Sequence, residues 1–401
     1  MAGPSRLVVT GFEGTALRSP IRRRLERLDP AGVVLFRRNV ESPAQVARLV
    51  ADLRRALGAR AVIAVDQEGG RVARLRAPFT EWPPMRRIGA TGDAELARRV
   101  GALLGRELRA AGFNCDFAPV LDVDSNPANP VIGDRAFHSD PAVVARLAIA
   151  FAGGLRRAGI APCGKHFPGH GDTALDSHLA LPAVTRPRRE LERVELRPFR
   201  AAIAAGFPML MTAHVVYRSL DASRPATLSR RILRDLLRGR LGFRGVLVSD
   251  DLAMHALDAS GAVGDVAVAA VDAGCDLLLA CQSLDDGERV AEALADAIRV
   301  RRLDRACVDE ALARVTALRA RLTRGPKPSE PLAPLLARRA GTRLLERLCL
   351  SAPGTRGAAG AIGGGVSDPT MPPRAPATAP ARRARRAGAT ARMAPARRRS
   401  R

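Results

Sequence analysis

Short apolar runs recur along the first 325 residues at intervals of roughly 25 to 45 positions, each followed by a stretch with helical periodicity. The eight runs are Leu7 to Thr10, Gly32 to Phe36, Ala61 to Val65, Phe117 to Val123, Ala161 to His166, Met209 to His214, Gly245 to Ser249 and Asp276 to Cys281. Ser42 followed by Pro43 predicts a capped helix whose Val46, Leu49, Val50, Leu53 and Leu57 share one face. Asp140 followed by Pro141 opens another helix, which Gly159 closes, and Val308 to Leu322 make a last apolar stripe before Gly325 and Pro326. Strands buried on both faces and alternating with helices predict an α/β fold, a single (β/α)8 TIM barrel over residues 1–325. A doubly wound open sheet is the rival, but no GxGxxG opens a helix after the first strand.

Charge changes the picture only at the C-terminus. The chain has 401 residues and a formal charge of +25. Residues 326–401 concentrate this excess, with sixteen Lys and Arg against Glu330, Glu346 and Asp368, in an Ala/Pro/Gly/Arg-rich composition. Such a segment is expected to be mostly a disordered basic tail, with one helix over Leu335 to Leu350. Nucleic-acid binding through this tail is a non-enzyme reading, weakened because the tail has no aromatic residue for base stacking. No stretch approaches the roughly 20 apolar residues of a membrane helix, and the N-terminus lacks an export h-region, so no membrane insertion and a cytoplasmic location are expected. The six scattered cysteines are expected to be reduced and mostly buried.

Polar residues collect where the strands end, which is where barrels of this kind gather their chemistry. Asp66, Asp122, Asp124, Lys165, His166, His214, Asp250 and Asp251 all fall there. Gly164 to Pro182 is the densest polar stretch, and its Lys165 is one of only two lysines in an arginine-dominated chain. A lysine kept at a strand end points to a compact ammonium in a tight site. In Asp176-Ser177-His178 the aspartate is spaced to orient the imidazole for proton transfer. A Ser-His-Asp hydrolase is set aside, because Ser177 lies between its partners and there is no GxSxG elbow. The histidine spacing does not form a helical zinc site, and neither metal nor cofactor is expected. On the residues alone, Asp250 is open between nucleophile, cap and hydroxyl ligand, while a helix cap is the default for Asp251. Arg74 and Arg135 are open, on the residues alone, between a place in the site and surface ion pairs. Gly169 and Gly171 are read as the glycines of a lid spanning Pro168 to His178.

Six segments, AVDQEGGRVARLR, FAPVLDV, IGDRAFHSDP, KHFPGHGDTALDSH, AHV and GFRGVLVSDDLAM, occur in this order. Together they resemble the β-N-acetylhexosaminidases of glycoside hydrolase family 3, over about residues 5–325, and most closely the bacterial enzymes of peptidoglycan recycling. The resemblance implies a retaining exo-β-N-acetylglucosaminidase acting on small carbohydrates, GlcNAc-anhydro-muropeptides, with Asp250 as nucleophile, His178 as acid/base and Asp176 orienting it. It further implies that Asp66, Arg74, Arg135, Lys165 and His166 bind sugar. A plain β-glucoside as substrate, or phosphate as glycosyl acceptor, are the rival readings within the same fold.

Overall fold

The computed structural model of the chain describes residues 3–174, 181–323, 331–337 and 340–351. Eight parallel strands close into a barrel: β1 (Val8–Thr10), β2 (Gly32–Leu35), β3 (Val62–Val65), β4 (Cys115–Asp116), β5 (Ala161–Phe167), β6 (Met209–Thr212), β7 (Val246–Asp251) and β8 (Leu277–Ala280). Neighbours in sequence are neighbours in space, and β8 closes the ring on β1 with Val8 opposite Leu278. Every residue of β2, β3, β6 and β8 is buried, which is why these strands read as continuous apolar runs and not as alternating ones.

Each strand is followed by a helix: α1 (Ser19–Leu28), α2 (Pro43–Leu57), α3 (Ala94–Ala110), α4 (Pro141–Arg157), α5 (Leu196–Ala204), α6 (Arg231–Arg240, wound as a π-helix), α7 (Val263–Ala273) and α8 (Leu284–Arg299). The expected caps are present. Ser42 and Gln45 form a capping box at α2, and Asp140 accepts from the Ala142 amide at α4. The stripe from Val308 to Leu322 is the buried face of α9 (Arg305–Thr323).

The fourth strand departs from expectation. The apolar run Phe117 to Val123 is not the strand; the ladder runs through Cys115 and Asp116 instead. Backbone bonds to β5 continue past Asp116, from Cys163 N to the Ala118 carbonyl, Lys165 N to the Pro119 carbonyl and Leu121 N to the Lys165 carbonyl, but Pro119 has no N–H to donate and the regular ladder gives way to an isolated bridge between Val120 and Lys165. The region expected to hold one helix near residue 340 holds two, α10 (Leu332–Ala337) and α11 (Ala340–Ser351). Both pack against α3, and Leu335 and Leu344 are buried there. Residues 352–401 lie outside the described residues.

Among the described cysteines Cys115, Cys163, Cys275 and Cys281 are buried free thiols, and Cys307 is a partly exposed one. No helix among the described residues is long and apolar enough to cross a membrane.

Candidate active site

The strand ends assemble the site from four directions. After β3 the chain forms a short antiparallel hairpin, Gln67–Gly69 with Val72–Ala73, turned by Gly69 and Gly70 at φ of 111° and 58°. Only glycine takes such angles without strain. Gln67 stiffens this hairpin: its Oε1 accepts from the amides of Arg74 and Leu75, and its Nε2 donates to the Leu75 carbonyl. Asp66, Glu68 and Arg74 are thereby aimed at the barrel axis.

From β5, Lys165 reaches across to these groups. Its Nζ lies 2.7 Å from Asp66 Oδ1 and 2.6 Å from Glu68 Oε1. Arg135 grips Glu68 from the other side with two parallel bonds, Nε to Oε2 at 2.9 Å and Nη2 to Oε1 at 2.8 Å. Arg74 approaches Asp66 Oδ2 at 3.7 Å and lies over the Phe36 ring. Both arginines are buried, so neither is a surface ion-pair partner. Burial pushes the Glu68 carboxyl up, but Arg135 and Lys165 outweigh it and hold it far below the usual carboxylate range. Burial likewise lowers Lys165, and Asp66 and Glu68 outweigh this and raise it. The ammonium is therefore a fixed cation, and arginine would not fit its place as a compact donor to two carboxylates.

His166 is held by Asp122. Its Nδ1 is 2.6 Å from Asp122 Oδ2, and its amide donates to Oδ1 at 3.1 Å. Burial raises Asp122, yet His166 and His170 beside it keep it below its ordinary value. With Asp122 a carboxylate, the tautomer assigned to His166 carries its proton on Nδ1. His170 packs edge-on against His166 with centroids 5.7 Å apart, and burial, then His166, lower it to about 4, so it is neutral near pH 7.

The two aspartates at the end of β7 divide their roles. Asp251 is buried and occupied: Oδ1 accepts from the Cys281 amide at 3.0 Å, and Oδ2 from Gln282 Nε2 at 3.0 Å. It staples β7 to the exit of β8 and does not cap a helix, since the following turn, His255–Ser260, has Met254 at its N-cap. Asp250 is only partly buried and accepts from the Asp251 amide. Burial raises its carboxyl, but His214, His166 and Lys165, with that amide, lower it below the ordinary value. His214 is itself fixed between Thr227 Oγ1 at 2.7 Å and the Asp251 carbonyl at 2.9 Å.

The loop after β5 is clamped where it starts. Asn129 Nδ2 donates to the carbonyls of His170 and Gly171, the His170 amide donates to Asp122, and Tyr217 Oη donates to the Gly169 carbonyl. A Cβ on Gly171 would lie 1.7 Å from the Val123 carbonyl oxygen. Gly169 and Gly171 thus allow close packing of the loop against Glu195 and Val123. Asp176 and His178, with the rest of the expected lid, lie outside the described residues.

The structure brings together Asp66, Arg74, Arg135, Lys165, His166 and Asp250. It adds Glu68, and it gives Asp122 and His214, strand-end residues without an expected role, places against His166 and beside Asp250. Glu68 was within reach, being two residues from Asp66 in an extended segment and so on the same face. Among the described residues no group of acidic, histidine or cysteine side chains is arranged to hold a metal ion. The arrangement offers carboxylates that accept from hydroxyls, cations that donate to them, and one ionised carboxylate at the rim.

Residues 7–318 match the family described as the glycosyl hydrolase family 3 N terminal domain. The chain is 46% identical over 285 residues to a β-hexosaminidase of Thiobacillus denitrificans, covering 70% of this chain and 78% of that one. A family 3 β-N-acetylglucosaminidase from Paenibacillus sp. superposes with a TM-score of 0.81 at 40% identity, over 86% of this chain and 67% of that one. NagZ from Neisseria gonorrhoeae, solved with N-trifluoroacetyl-D-glucosamine, superposes with a TM-score of 0.73 at 33% identity, over 87% and 97%. The closed barrel, the polar cluster at its strand ends and these matches agree: the chain belongs to glycosyl hydrolase family 3, whose N-terminal barrel domain it contains, and it is a glycoside hydrolase.

Proposed function

We propose that this chain is a retaining exo-β-N-acetylglucosaminidase that removes terminal β-linked N-acetylglucosamine from peptidoglycan fragments, with GlcNAc-anhydro-muropeptides as natural substrates. Asp250 attacks the anomeric carbon as the bond to the leaving oxygen breaks, and His178, oriented by Asp176, protonates that oxygen; His178 then takes a proton from water as the water attacks the same carbon and releases the Asp250 carboxylate. Asp66, Arg74, Lys165 and His166 hold the sugar hydroxyls, and Arg135 does so while bracing Glu68. The observation that carries this reading is Asp250, an ionised, partly exposed carboxylate on β7 facing the Lys165 network, in a chain whose relatives are β-hexosaminidases. Free thiols among the described cysteines support the cytoplasm as its compartment.

The test compares aryl β-N-acetylglucosaminide and aryl β-glucoside turnover by the intact chain and by Asp250→Ala. Hydrolysis of the acetylated sugar, lost on the order of 10³-fold or more in the variant, is the expected outcome. Preference for the plain glucoside overturns the substrate assignment, and full activity in the variant overturns the nucleophile. First release of the β-anomer, followed by proton NMR, checks retention. Sugar 1-phosphate formed when phosphate is added would replace water with phosphate as acceptor.

A further inference from the structure

Glu195 stands at the N-cap of α5, only 1% exposed, beneath the clamped start of the β5 loop. Its Oε1 accepts from Ser125 Oγ at 2.6 Å. Its Oε2 is buried without a hydrogen-bond partner among the described residues. The contact with the loop is direct: Gly169 has φ of 131°, and a Cβ there would lie 2.7 Å from Glu195 Cβ and 2.8 Å from Oε2. The charged groups around this carboxyl come from every neighbouring segment. Asp122 is bonded to His166 and His170, Asp172 is paired with Arg186 at 2.7 Å, and Tyr217 bonds the Gly169 carbonyl. Among the described residues, two carboxylates and one guanidinium already paired leave the second oxygen of Glu195 without a hydrogen-bond donor. An ionised Glu195 would be a buried charge with half of its acceptors unmet, which is costly.

We propose that Glu195 is a positioning residue for the reaction, seating the start of the β5 loop, Pro168 to Ala174, as a neutral carboxyl group wedged between Ser125 and the Gly169 backbone. Burial first, then Asp122 and Asp172, raise its titration to about 7, with Ser125 and Arg186 opposing. The inference rests on the proposed function only for its effect on rate, because the same loop leads in sequence to His178. As pH rises through neutrality Glu195 loses its proton, the carboxylate is repelled by Asp122 and Asp172, and the Gly169 segment is unseated.

The experiment reads the loop without substrate. Amide hydrogen exchange of Gly169 to Thr173 is followed by mass spectrometry from pH 5.5 to 8.5, corrected for intrinsic rates, in the full chain, in Glu195→Gln and in Ser125→Ala. Protection in the unmodified chain is expected to fall at least about fivefold across a midpoint near pH 7. Glu195→Gln, fixed in the neutral form, should hold protection flat. Ser125→Ala, which removes a donor that favours the charged form, should move the midpoint upward and keeps the test open if the glutamine variant fails to fold. The alkaline limb of kcat/KM should shift with the same midpoint. Superimposable exchange profiles for all three proteins overturn the proposal, and so does a shifted exchange midpoint with an unmoved rate profile. Absence of turnover on every hexosaminide overturns the proposed function instead, while exchange still decides the seat.

Discussion

Lys165 is closed in by Asp66 and Glu68, and its removal would leave both carboxylates facing each other in a buried site. Lys165→Met is therefore expected to destabilise the fold by about 1–3 kcal/mol, read from urea unfolding, because two close carboxylates lose the ammonium between them while Arg135 still holds Glu68. His170 carries a pH signature of its own. Its folded value of about 4 lies below the ordinary 6.5, so the unfolded chain takes up a proton first and stability falls as pH drops through that window. Relative to His170→Gln, the unmodified chain should lose about 2 kcal/mol between pH 7 and pH 5, checked by paired urea titrations. At this scale the sequence was legible where composition was unusual. A strand-end lysine, one of two in an arginine-dominated chain, marked its own site, and Asp66 and Asp250 stood at strand ends. Glu195 was not legible, because REL-ERVEL reads as an ordinary charged helix and only the fold shows that one of its glutamates is buried under a loop.

Among the elements, α3 and α4 touch backbone to backbone. A Cβ on Gly101 would lie 2.2 Å from the Phe151 carbonyl oxygen, and one on Gly154 would lie 2.2 Å from that of Arg98. Glycine in an exposed helix usually costs stability relative to alanine, by about 0.5–1 kcal/mol. Here the sign reverses: Gly101→Ala and Gly154→Ala should each destabilise by about 1–3 kcal/mol, measured by denaturant midpoint, because two main chains must part to admit a methyl group. Periodicity and caps made α2, α4 and α9 legible, since both signals are local. The bounds of β4 were not, because the buried apolar run after it keeps bonds to β5 but loses the regular ladder at Pro119, and an interrupted ladder looks the same in sequence as a continuous strand.

At the scale of the molecule, eight apolar runs sufficed to anticipate a closed barrel, since parallel strands covered on both faces leave no polar alternation and no edge. Removal of residues 357–401, which hold ten arginines and Asp368, should leave hexosaminide turnover within about twofold while lowering the salt needed to elute the chain from an anionic column, since residues 1–356 keep 55 Lys and Arg against 39 Asp and Glu. The distribution of thiols has a practical consequence. Cys115, Cys163, Cys275 and Cys281 sit on or beside β4, β5 and β8, sealed from reagent, while Cys307 on α9 is partly open. A chromogenic disulfide added to the native Cys349→Ser chain should mark Cys307 within minutes and the four sealed sulfurs only as the barrel opens, so the slow phase becomes a built-in clock for global opening, read without label or probe of any other kind.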